Sequence, residues 1–228
     1  MKPNTLDPKQ YNSVAEKYSE EVLNYNQDSI QAYFRYLNGM NLKGKKVLDL
    51  GCGNGYDLSQ ISVKKAVIYG LDSSNEMVKL ARKKNPKGRI EIGRFDEIPF
   101  PDKSFDLVIS KWALQTSAEI YPIYEEIIRV LKPGGKLLFL ACHPIRQFLE
   151  KKRKGKDYFV KEIVTSVFFD GQITAKEPSH TLDEYLSPFF FEHFTLEAYE
   201  EGLDAAAEKV DGDVYPSFFI IQAVLKNA

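Results

Sequence analysis

Three glycines and two acids in the first third of the chain have the types and spacing to bind a charged small molecule. Gly51, Gly53 and Gly55 follow the apolar run KVLDL. At such positions the backbone can turn sharply and approach a ligand that a Cβ would hold away. Asp49 comes two residues before the first glycine, and Asp72 follows that glycine by 21 residues. A carboxylate beside the loop favours a ligand with an ammonium or sulfonium group, and one after the next apolar run can accept hydrogen bonds from ribose hydroxyls.

The glycine spacing distinguishes between two kinds of ligand. A dinucleotide-binding loop follows the pattern G-x-G-x-x-G, and Tyr56 occupies the position of its third glycine. The spacing here is G-x-G-x-G, and Asp49 is unfavourable next to a pyrophosphate. A nicotinamide-dependent oxidoreductase is therefore a disfavoured hypothesis, and such an enzyme would bind a dinucleotide in preference to a sulfonium.

The glycine loop lies on a regular alternation of predicted strands and helices. Apolar β-prone runs predict strands, and apolar residues at helical spacing predict helices, one of which opens with Ser73 as its N-cap. Short connections with right-handed crossovers produce a parallel sheet that has helices on both faces. We therefore predict a doubly wound, Rossmann-like α/β fold. The predicted strands are 46–50, 66–71, 89–92, 105–110 and 136–141, and the predicted helices are 73–84 and 120–131.

Two segments interrupt this alternation. The tyrosine-rich N-terminal segment predicts helices that form a lid, and the segment after the fifth strand carries too many apolar and aromatic residues for a linker. We predict a single domain, 1–228, whose mostly parallel sheet ends in an antiparallel last strand. Its parts are the N-terminal helical lid, the binding core, the cap insertion and the end of the sheet, at residues 1–43, 44–141, 142–180 and 181–228. The later elements are a β-prone stretch, a helix and two strands, at residues 162–169, 181–190, 195–199 and 217–225.

Four motifs stand in sequence order along the core: DLGCGNG from Asp49, LD at Asp72, PFPDKSFDLVIS from Pro99 and RVLKPGGKLLF from Arg129. Together they resemble the class I S-adenosylmethionine-dependent methyltransferases, in their ubiquinone-biosynthesis-like branch with a methyltransferase domain of the 11/25 type. The resemblance covers about residues 10–142. It implies that the chain binds S-adenosyl-L-methionine, releases S-adenosyl-L-homocysteine and methylates a small-molecule acceptor at O, N or C by in-line displacement.

The resemblance also implies a role for individual residues of the cofactor site. The glycine loop would run beside the methionine half of the cofactor, and Asp49 would orient that half. Cys52 would be a small residue that fills space within the loop. Asp72 would bind the ribose, and Ser110, just past the fourth strand, would offer backbone groups to the methionine amine. The motif YNSVAEKY is similar to a family segment whose tyrosines close over the cofactor. The remaining cofactor-binding candidates are Tyr11 and Tyr18 from that segment, and Ser73 and Met77 beside the adenine.

The chain departs from the family pattern ahead of the fourth strand. Related sequences place an Asp there to accept a hydrogen bond from the adenine amino group, and this chain has Arg94 at that position. Phe95 follows it, and Asp96 comes two residues late. The adenine would then be held by packing on Phe95, by backbone groups or by a shifted Asp96.

Candidates for the acceptor side lie after the fourth and fifth strands. His143 and His180 fall in cap segments that resemble family motifs, so each is a candidate base or acceptor contact, with a hydrogen-bonded structural histidine as the alternative. Trp112 and Gln115 follow the fourth strand, where parallel sheets bind ligands. The basic run at 151–156 is interpreted as a solvated face or as a binding site for an acidic acceptor.

Composition narrows the function classes further. The formal net charge of -1 and pI of about 6.3 disfavour nucleic-acid binding and electrostatic membrane binding. Two cysteines are too few for a disulfide scaffold or a paired-cysteine zinc site, so we expect no metal and a reducing compartment. The N-terminus lacks the apolar core of a signal peptide, and no window resembles a membrane span. We expect a cytoplasmic monomer or homodimer.

A second functional hypothesis is a non-catalytic, S-adenosylmethionine-binding or partner subunit with the same fold. It is motivated by Arg94 at the adenine position and by the lack of an obvious catalytic acid or base in the sequence.

Overall fold

The computed structural model describes residues 10–151, 154–206 and 212–227. Residues 1–9 of the predicted lid and residues 152–153 of the basic run lie outside the described residues. The helices are α1 Ala15–Tyr25, α2 Gln27–Asn38, α3 Tyr56–Val63, α4 Asn75–Lys84, α5 Tyr121–Val130, α6 Pro144–Leu149, α7 Leu182–Tyr185 and α8 Pro188–His193. The strands are β1 Lys46–Leu50, β2 Val67–Asp72, β3 Arg89–Ile92, β4 Phe105–Lys111, β5 Leu131–Cys142, β6 Ile163–Phe168, β7 Ile173–Pro178, β8 Phe194–Gly202 and β9 Phe218–Leu225.

Seven strands form one sheet in the order β3-β2-β1-β4-β5-β9-β8. The first five pair in parallel, and β9 runs antiparallel to both β5 and β8. Strand order reverses between β1 and β4, and at such a point the loops leave the sheet in opposite directions and open a crevice. The predicted doubly wound α/β fold with an antiparallel last strand is confirmed.

The sheet is buried on both faces, because helices pack on each side of its central strands. Leu48 and Leu50 of β1 belong to one apolar core, and Val47 of the same strand belongs to the other. Side chains alternate across a strand, so a run with apolar residues at every position has both faces covered. The strand β1 is therefore a rigid, central support for the loop that follows it.

Two predicted helix boundaries are wrong for identifiable reasons. The N-cap of α4 is Ser74 rather than Ser73, and its hydroxyl accepts a hydrogen bond from the Met77 amide at 3.2 Å. The predicted helix 181–190 is two short helices, since Ser187 caps a new helix that has Pro188 at its first turn. Proline has no N–H to donate to the preceding turn, so it begins a helix more readily than it continues one.

Two other predictions are only partly correct, one for the start of a strand and one for the exposure of the basic run. The strand predicted at 136–141 begins at Leu131, because Leu131 pairs with Phe105 before a register shift over the Pro-Gly-Gly turn. In the basic run, Lys151 is buried instead of solvated, and its ammonium donates to the carbonyls of Asp157 and Val160 at 2.6 and 2.5 Å.

Strands β6 and β7 form a hairpin that packs on the N-terminal helices. Gln10 extends the edge of β7, since its side-chain amide donates to the Lys176 carbonyl at 3.1 Å and accepts from the Lys176 amide at 3.0 Å. The Tyr25 hydroxyl donates to Asp170 at 2.6 Å, and the rings of Tyr18 and Phe169 lie 5.6 Å apart. The hairpin and the N-terminal helices thus form one cover over the sheet.

Gly55 fixes the packing of α3 against α4 and generates a stability prediction. Its φ is +74°, and a Cβ there would lie 2.5 Å from Asn85 Nδ2 and 3.0 Å from Ala81 Cα. We expect Gly55→Ala to lower the free energy of unfolding by about 2–4 kcal/mol, from backbone strain plus overpacking. The matched control is Gly44→Ala, because Gly44 has φ +71° with no atom near its added Cβ and should cost only about 1 kcal/mol. Urea denaturation measures both, and equal losses would contradict the packing role.

Candidate functional site

Two adjoining cavities open at the carboxyl ends of the parallel strands. The main cavity has a volume of about 310 Å³, and the inner cavity, nearer the glycine loop, has about 70 Å³. Both are lined by Gly51, Gly53, Met77, Lys111 and Trp112 together with Tyr18. The site therefore lies at the reversal of strand order, where ligands bind in open parallel sheets.

The glycines of the loop have different roles. Gly53, with φ +49°, has only Met77 Sδ near its added Cβ, at 4.0 Å, so its open side faces the cavities. At Gly51, with φ +76°, a Cβ would collide with the Ala113 Cβ at 2.2 Å. Gly55 packs against α4 and is not among the residues that line the two cavities. Gly53 is thus the position at which a ligand can approach the backbone.

Asp72 ties the glycine loop to the end of β2. One of its carboxylate oxygens accepts from the Gly53 amide at 2.9 Å, and the other accepts from the Ser74 amide at 2.9 Å. Burial raises the pKa of Asp72, and hydrogen bonds from the backbone amides of Ser74, Gly53 and Ser73 oppose that rise. The carboxylate lines the main cavity in a fixed orientation, as a group that binds ribose hydroxyls requires.

Asp49 presents a buried carboxylate to the inner cavity. The residue is 2% exposed, and no hydrogen bond to its side chain is found within the described part of the chain. Burial raises its pKa well above the ordinary value, the nearby Asp57 raises it further, and Lys111 opposes both. A buried carboxylate of this kind is stabilised by a cationic partner.

Arg94, Phe95 and Asp96 line the main cavity opposite Ser73 and Met77. The Arg94 guanidinium donates two parallel hydrogen bonds to Asp96, at 2.9 and 2.8 Å. This pairing lowers the pKa of Asp96, and its carboxylate stays ionised and engaged. The five residues thus line one cavity, and the carboxylate of the shifted Asp96 is already bound by Arg94.

Tyr11 and Tyr18 line the main cavity from the N-terminal side. Their rings meet edge to face at 5.5 Å, and the Tyr11 hydroxyl donates to Glu177 of β7 at 3.4 Å. Glu177 is buried, and that burial raises its pKa to about 7. Because Glu177 can hold or release a proton near neutral pH, Tyr11 links the cavity to a proton acceptor in the hairpin.

Trp112 lines both cavities directly after β4. Its φ is +56°, and its buried indole nitrogen has no hydrogen-bond partner among the described residues. Gln115 is placed elsewhere: it is buried outside the cavity walls, and its main-chain oxygen contacts the ring of His180. A role for Gln115 in acceptor binding stays a prediction.

Two other predicted cofactor residues lie deeper than expected. Ser110 is inside β4 rather than past its end, and its hydroxyl donates to the Leu50 carbonyl at 2.8 Å, away from the cavity walls. Cys52 lines the inner cavity, and burial raises the pKa of its thiol well above the ordinary value. A thiol held in its neutral form is a poor nucleophile, so the geometry agrees with the interpretation of Cys52 as a filler.

Both histidine candidates are occupied by structural partners. His143 caps α6, since its Nδ1 accepts from the Ile145 amide at 3.1 Å while its Nε2 is 2.9 Å from Glu201. His180 contacts Glu184 through Nδ1 at 2.5 Å and the Gln115 carbonyl through Nε2 at 3.1 Å. Neither ring lines the cavities. A catalytic role for His143, or an acceptor contact for His180, therefore stays a prediction that these contacts do not support.

The sequence-based reasoning missed Lys111 and Glu177. Lys111 carried a signal, because a single charged residue that ends the apolar run FDLVIS lies at the carboxyl end of a parallel strand. Glu177 carried none, since only the packing of the hairpin on the N-terminal segment brings it to Tyr11.

Within residues 10–151, 154–206 and 212–227, no group of three or more His, Cys, Asp or Glu side chains is arranged to hold a metal ion. None of the helices in these ranges combines the length and apolar character of a membrane span.

The environment of His143 predicts a pH dependence of stability. Burial lowers its pKa in the folded chain, so the neutral ring stabilises the fold above the unfolded pKa of about 6.5, and this contribution is lost as pH falls. The variant His143→Asn keeps an N-cap acceptor but does not titrate. We expect the wild type to lose more stability than this variant between about pH 7.5 and 5.5. Urea denaturation at the two pH values measures the difference, and parallel losses would be inconsistent with it.

Part of this chain is similar in sequence to known methyltransferases. Residues 48–139 match the family described as Methyltransferase domain. The chain is 32% identical over 134 residues to a fatty-acid O-methyltransferase of Mycolicibacterium smegmatis, covering 55% of this chain and 46% of that protein. It is 32% identical over 151 residues to a demethylmenaquinone methyltransferase of Tropheryma whipplei, covering 62% of this chain and 61% of that protein. The chain thus spans about half the length of the curated relatives that it matches.

A solved structure shares the fold along its whole length. It is a putative S-adenosylmethionine dependent methyltransferase from Listeria monocytogenes, with a TM-score of 0.71 and 22% identity, covering 87% of this chain and 100% of that one. Residues 48–139 are thus similar in sequence to a methyltransferase domain, and the chain shares its fold with this solved structure.

Proposed function

We propose that this chain is an S-adenosylmethionine-dependent methyltransferase that acts on a small-molecule acceptor. The observation that carries the proposal is the convergence of Asp49, Gly53 and Asp72 on two joined cavities at the carboxyl ends of β1 and β2. Asp49, whose carboxylate accepts no hydrogen bond from the described residues, matches the ammonium of that cofactor. The open backbone at Gly53 matches its sulfur chain, and the fixed carboxylate of Asp72 matches its ribose.

A Cβ at Gly53 would occupy space that is otherwise open, so the wall leaves room for a ligand there. We assign Asp72 to the ribose, Asp49 to the methionine ammonium, and Ser73, Met77, Arg94 and Phe95 to the adenine slot. When bound, S-adenosylmethionine supplies a methyl group activated on a sulfonium.

The chain's own contribution is alignment and the exclusion of water. A methyl transfer needs the acceptor atom in line with the carbon–sulfur bond, and a base only where the acceptor must lose a proton. Tyr11 and Tyr18 line the main cavity and contact the hairpin, and we propose that together they shield its contents from solvent. We propose residues 1–43 as the lid and residues 142–180 as the cap of this site.

The acceptor side of the main cavity favours a largely apolar molecule. Trp112, Ala113, Pro122 and Ile123 supply apolar surface there, and Thr116 adds a hydroxyl. The curated relatives named above are enzymes for fatty-acid O-methylation and demethylmenaquinone methylation, and both names denote apolar acceptors. We propose an apolar small molecule as substrate and, from the two free cysteines, a cytoplasmic location.

Calorimetric titration with S-adenosylmethionine, S-adenosylhomocysteine and NAD tests the proposal directly. We expect micromolar binding of both sulfur ligands, about -8 kcal/mol, and no binding of NAD. Binding of neither sulfur ligand would refute the proposal. Binding without turnover over a broad acceptor panel, with a co-purifying protein, would favour the non-catalytic subunit instead.

Gly53 gives the first test of where the cofactor binds. We expect Gly53→Ala to weaken binding of S-adenosylhomocysteine by about tenfold or more, because its Cβ would enter the open side of the loop. Gly44→Ala introduces a side chain at a similar positive φ far from the cavities and should leave the affinity unchanged. Retained affinity in Gly53→Ala would show that the cofactor does not pass this loop.

Asp72 gives the second test. We expect Asp72→Ala to weaken cofactor binding by about 1–3 kcal/mol, because ribose hydroxyls would lose their acceptor. Asp106→Ala is the matched control, since Asp106 also accepts a backbone hydrogen bond, from Lys46 at 2.9 Å, near the opposite end of the sheet. Calorimetry measures both variants, and an unchanged affinity in Asp72→Ala would contradict the assignment.

A further inference from the structure

The charged group at the end of β4 is the least expected feature of the inner cavity. Lys111 has a side chain only 12% exposed, and it lines both cavities. Its ammonium lies 2.5 Å from the Asp57 carboxylate. Among the described residues that line the inner cavity, it is the one cationic side chain.

Aromatic rings hold the Lys111 ammonium in place. It lies 5.9 Å from the ring centroid of Tyr33, 5.6 Å from that of Phe34 and 5.4 Å from that of Tyr56. Three ring faces stabilise a cation and restrict its side-chain rotamers. The ammonium is therefore preorganised beside the cavity.

The Lys111 ammonium can donate further hydrogen bonds besides the one that Asp57 accepts. A lysine ammonium has three donors, and Asp57 accepts from one of them at 2.5 Å. The rings accept no conventional hydrogen bond, so an anionic ligand in the inner cavity can take another donor without breaking the ion pair. Arg94, the other cation of the main cavity, has two donors committed to Asp96 and does not line the inner cavity.

The charges around the inner cavity match both ends of an α-amino acid. Asp49 offers a carboxylate to which no described residue donates a hydrogen bond, which suits an ammonium, and Lys111 offers an ammonium, which suits a carboxylate. When Asp49 and Asp57 are both ionised, these two carboxylates and the Lys111 ammonium carry a net excess of one negative charge. A ligand that carries a zwitterion plus a sulfonium brings one positive charge, which balances that excess.

We propose that Lys111 binds the carboxylate of the cofactor's amino-acid end, so that the inner cavity selects ligands with a complete α-amino acid. This inference rests on the proposed function. It adds a specificity-determining residue that lies outside the glycine loop and the acid at the end of β2.

The test compares two ligands that differ only in the amino-acid part. S-adenosylhomocysteine carries it, whereas 5′-methylthioadenosine has the same nucleoside and thioether without it. Calorimetric titration of the full chain should show that Lys111→Met weakens binding of S-adenosylhomocysteine by about ten- to hundredfold and leaves binding of methylthioadenosine unchanged. The control is Lys84→Met, because Lys84 lies 5.8 Å from the Tyr56 ring but does not line the inner cavity, and it should change neither affinity.

Removal of Lys111 leaves Asp57 buried without its partner, which can unfold the chain. The double variant Asp57→Asn/Lys111→Met removes both charges and should show the same loss of discrimination between the two ligands. In the wild type, S-adenosylmethionine should bind about tenfold or more tightly than its decarboxylated form.

Three results would overturn the inference: equal losses for both ligands, no loss for either, or equal wild-type affinity for S-adenosylmethionine and its decarboxylated form. Failure of the wild type to bind S-adenosylhomocysteine at all would instead refute the proposed function, so the two failures are distinguishable.

Discussion

The hydrogen bond from the Gly53 amide to the Asp72 carboxylate is the constraint on which the site depends. It ties the loop after β1 to the end of β2, and the Leu71 carbonyl reinforces it by accepting from the amides of Gly51 and Cys52 at 2.7 and 3.1 Å. The loop can hold this shape because its glycines adopt positive φ values. The same residue lines the main cavity, so one side chain both shapes the loop and presents a fixed carboxylate to that cavity.

The inner cavity concentrates charge that is unfavourable in the interior. Asp49, Asp57 and Lys111 are all largely buried, and one ion pair compensates only two of them. Burial, together with the nearby Asp57, therefore raises the pKa of Asp49. An interior arranged in this way is stabilised by a ligand that supplies the missing cation, which links the electrostatics of the fold to its proposed selectivity.

The cover over the site is assembled from segments far apart in the chain. The hairpin of β6 and β7 contacts the N-terminal segment through Gln10, Tyr18 and Tyr25, and it brings Glu177 to Tyr11. These contacts join positions about 150 residues apart in sequence. The position of Tyr11 and Tyr18 in the wall of the main cavity is therefore supported by contacts with a hairpin from a distant part of the chain.

The sequence by itself determined the core of this protein, because its signals there are local. Apolar runs, glycine spacing and the acids Asp49 and Asp72 each follow from short stretches, and the parallel sheet follows from short right-handed connections. Only the tertiary structure decided which of these residues meet. It directed the Ser110 hydroxyl to the Leu50 carbonyl and the His143 ring to Glu201, and it brought Lys111 to Asp57 at the inner cavity, because the partners of these side chains come from distant elements. Burial and long-range pairing are properties of the assembled fold, and sequence spacing does not encode them directly.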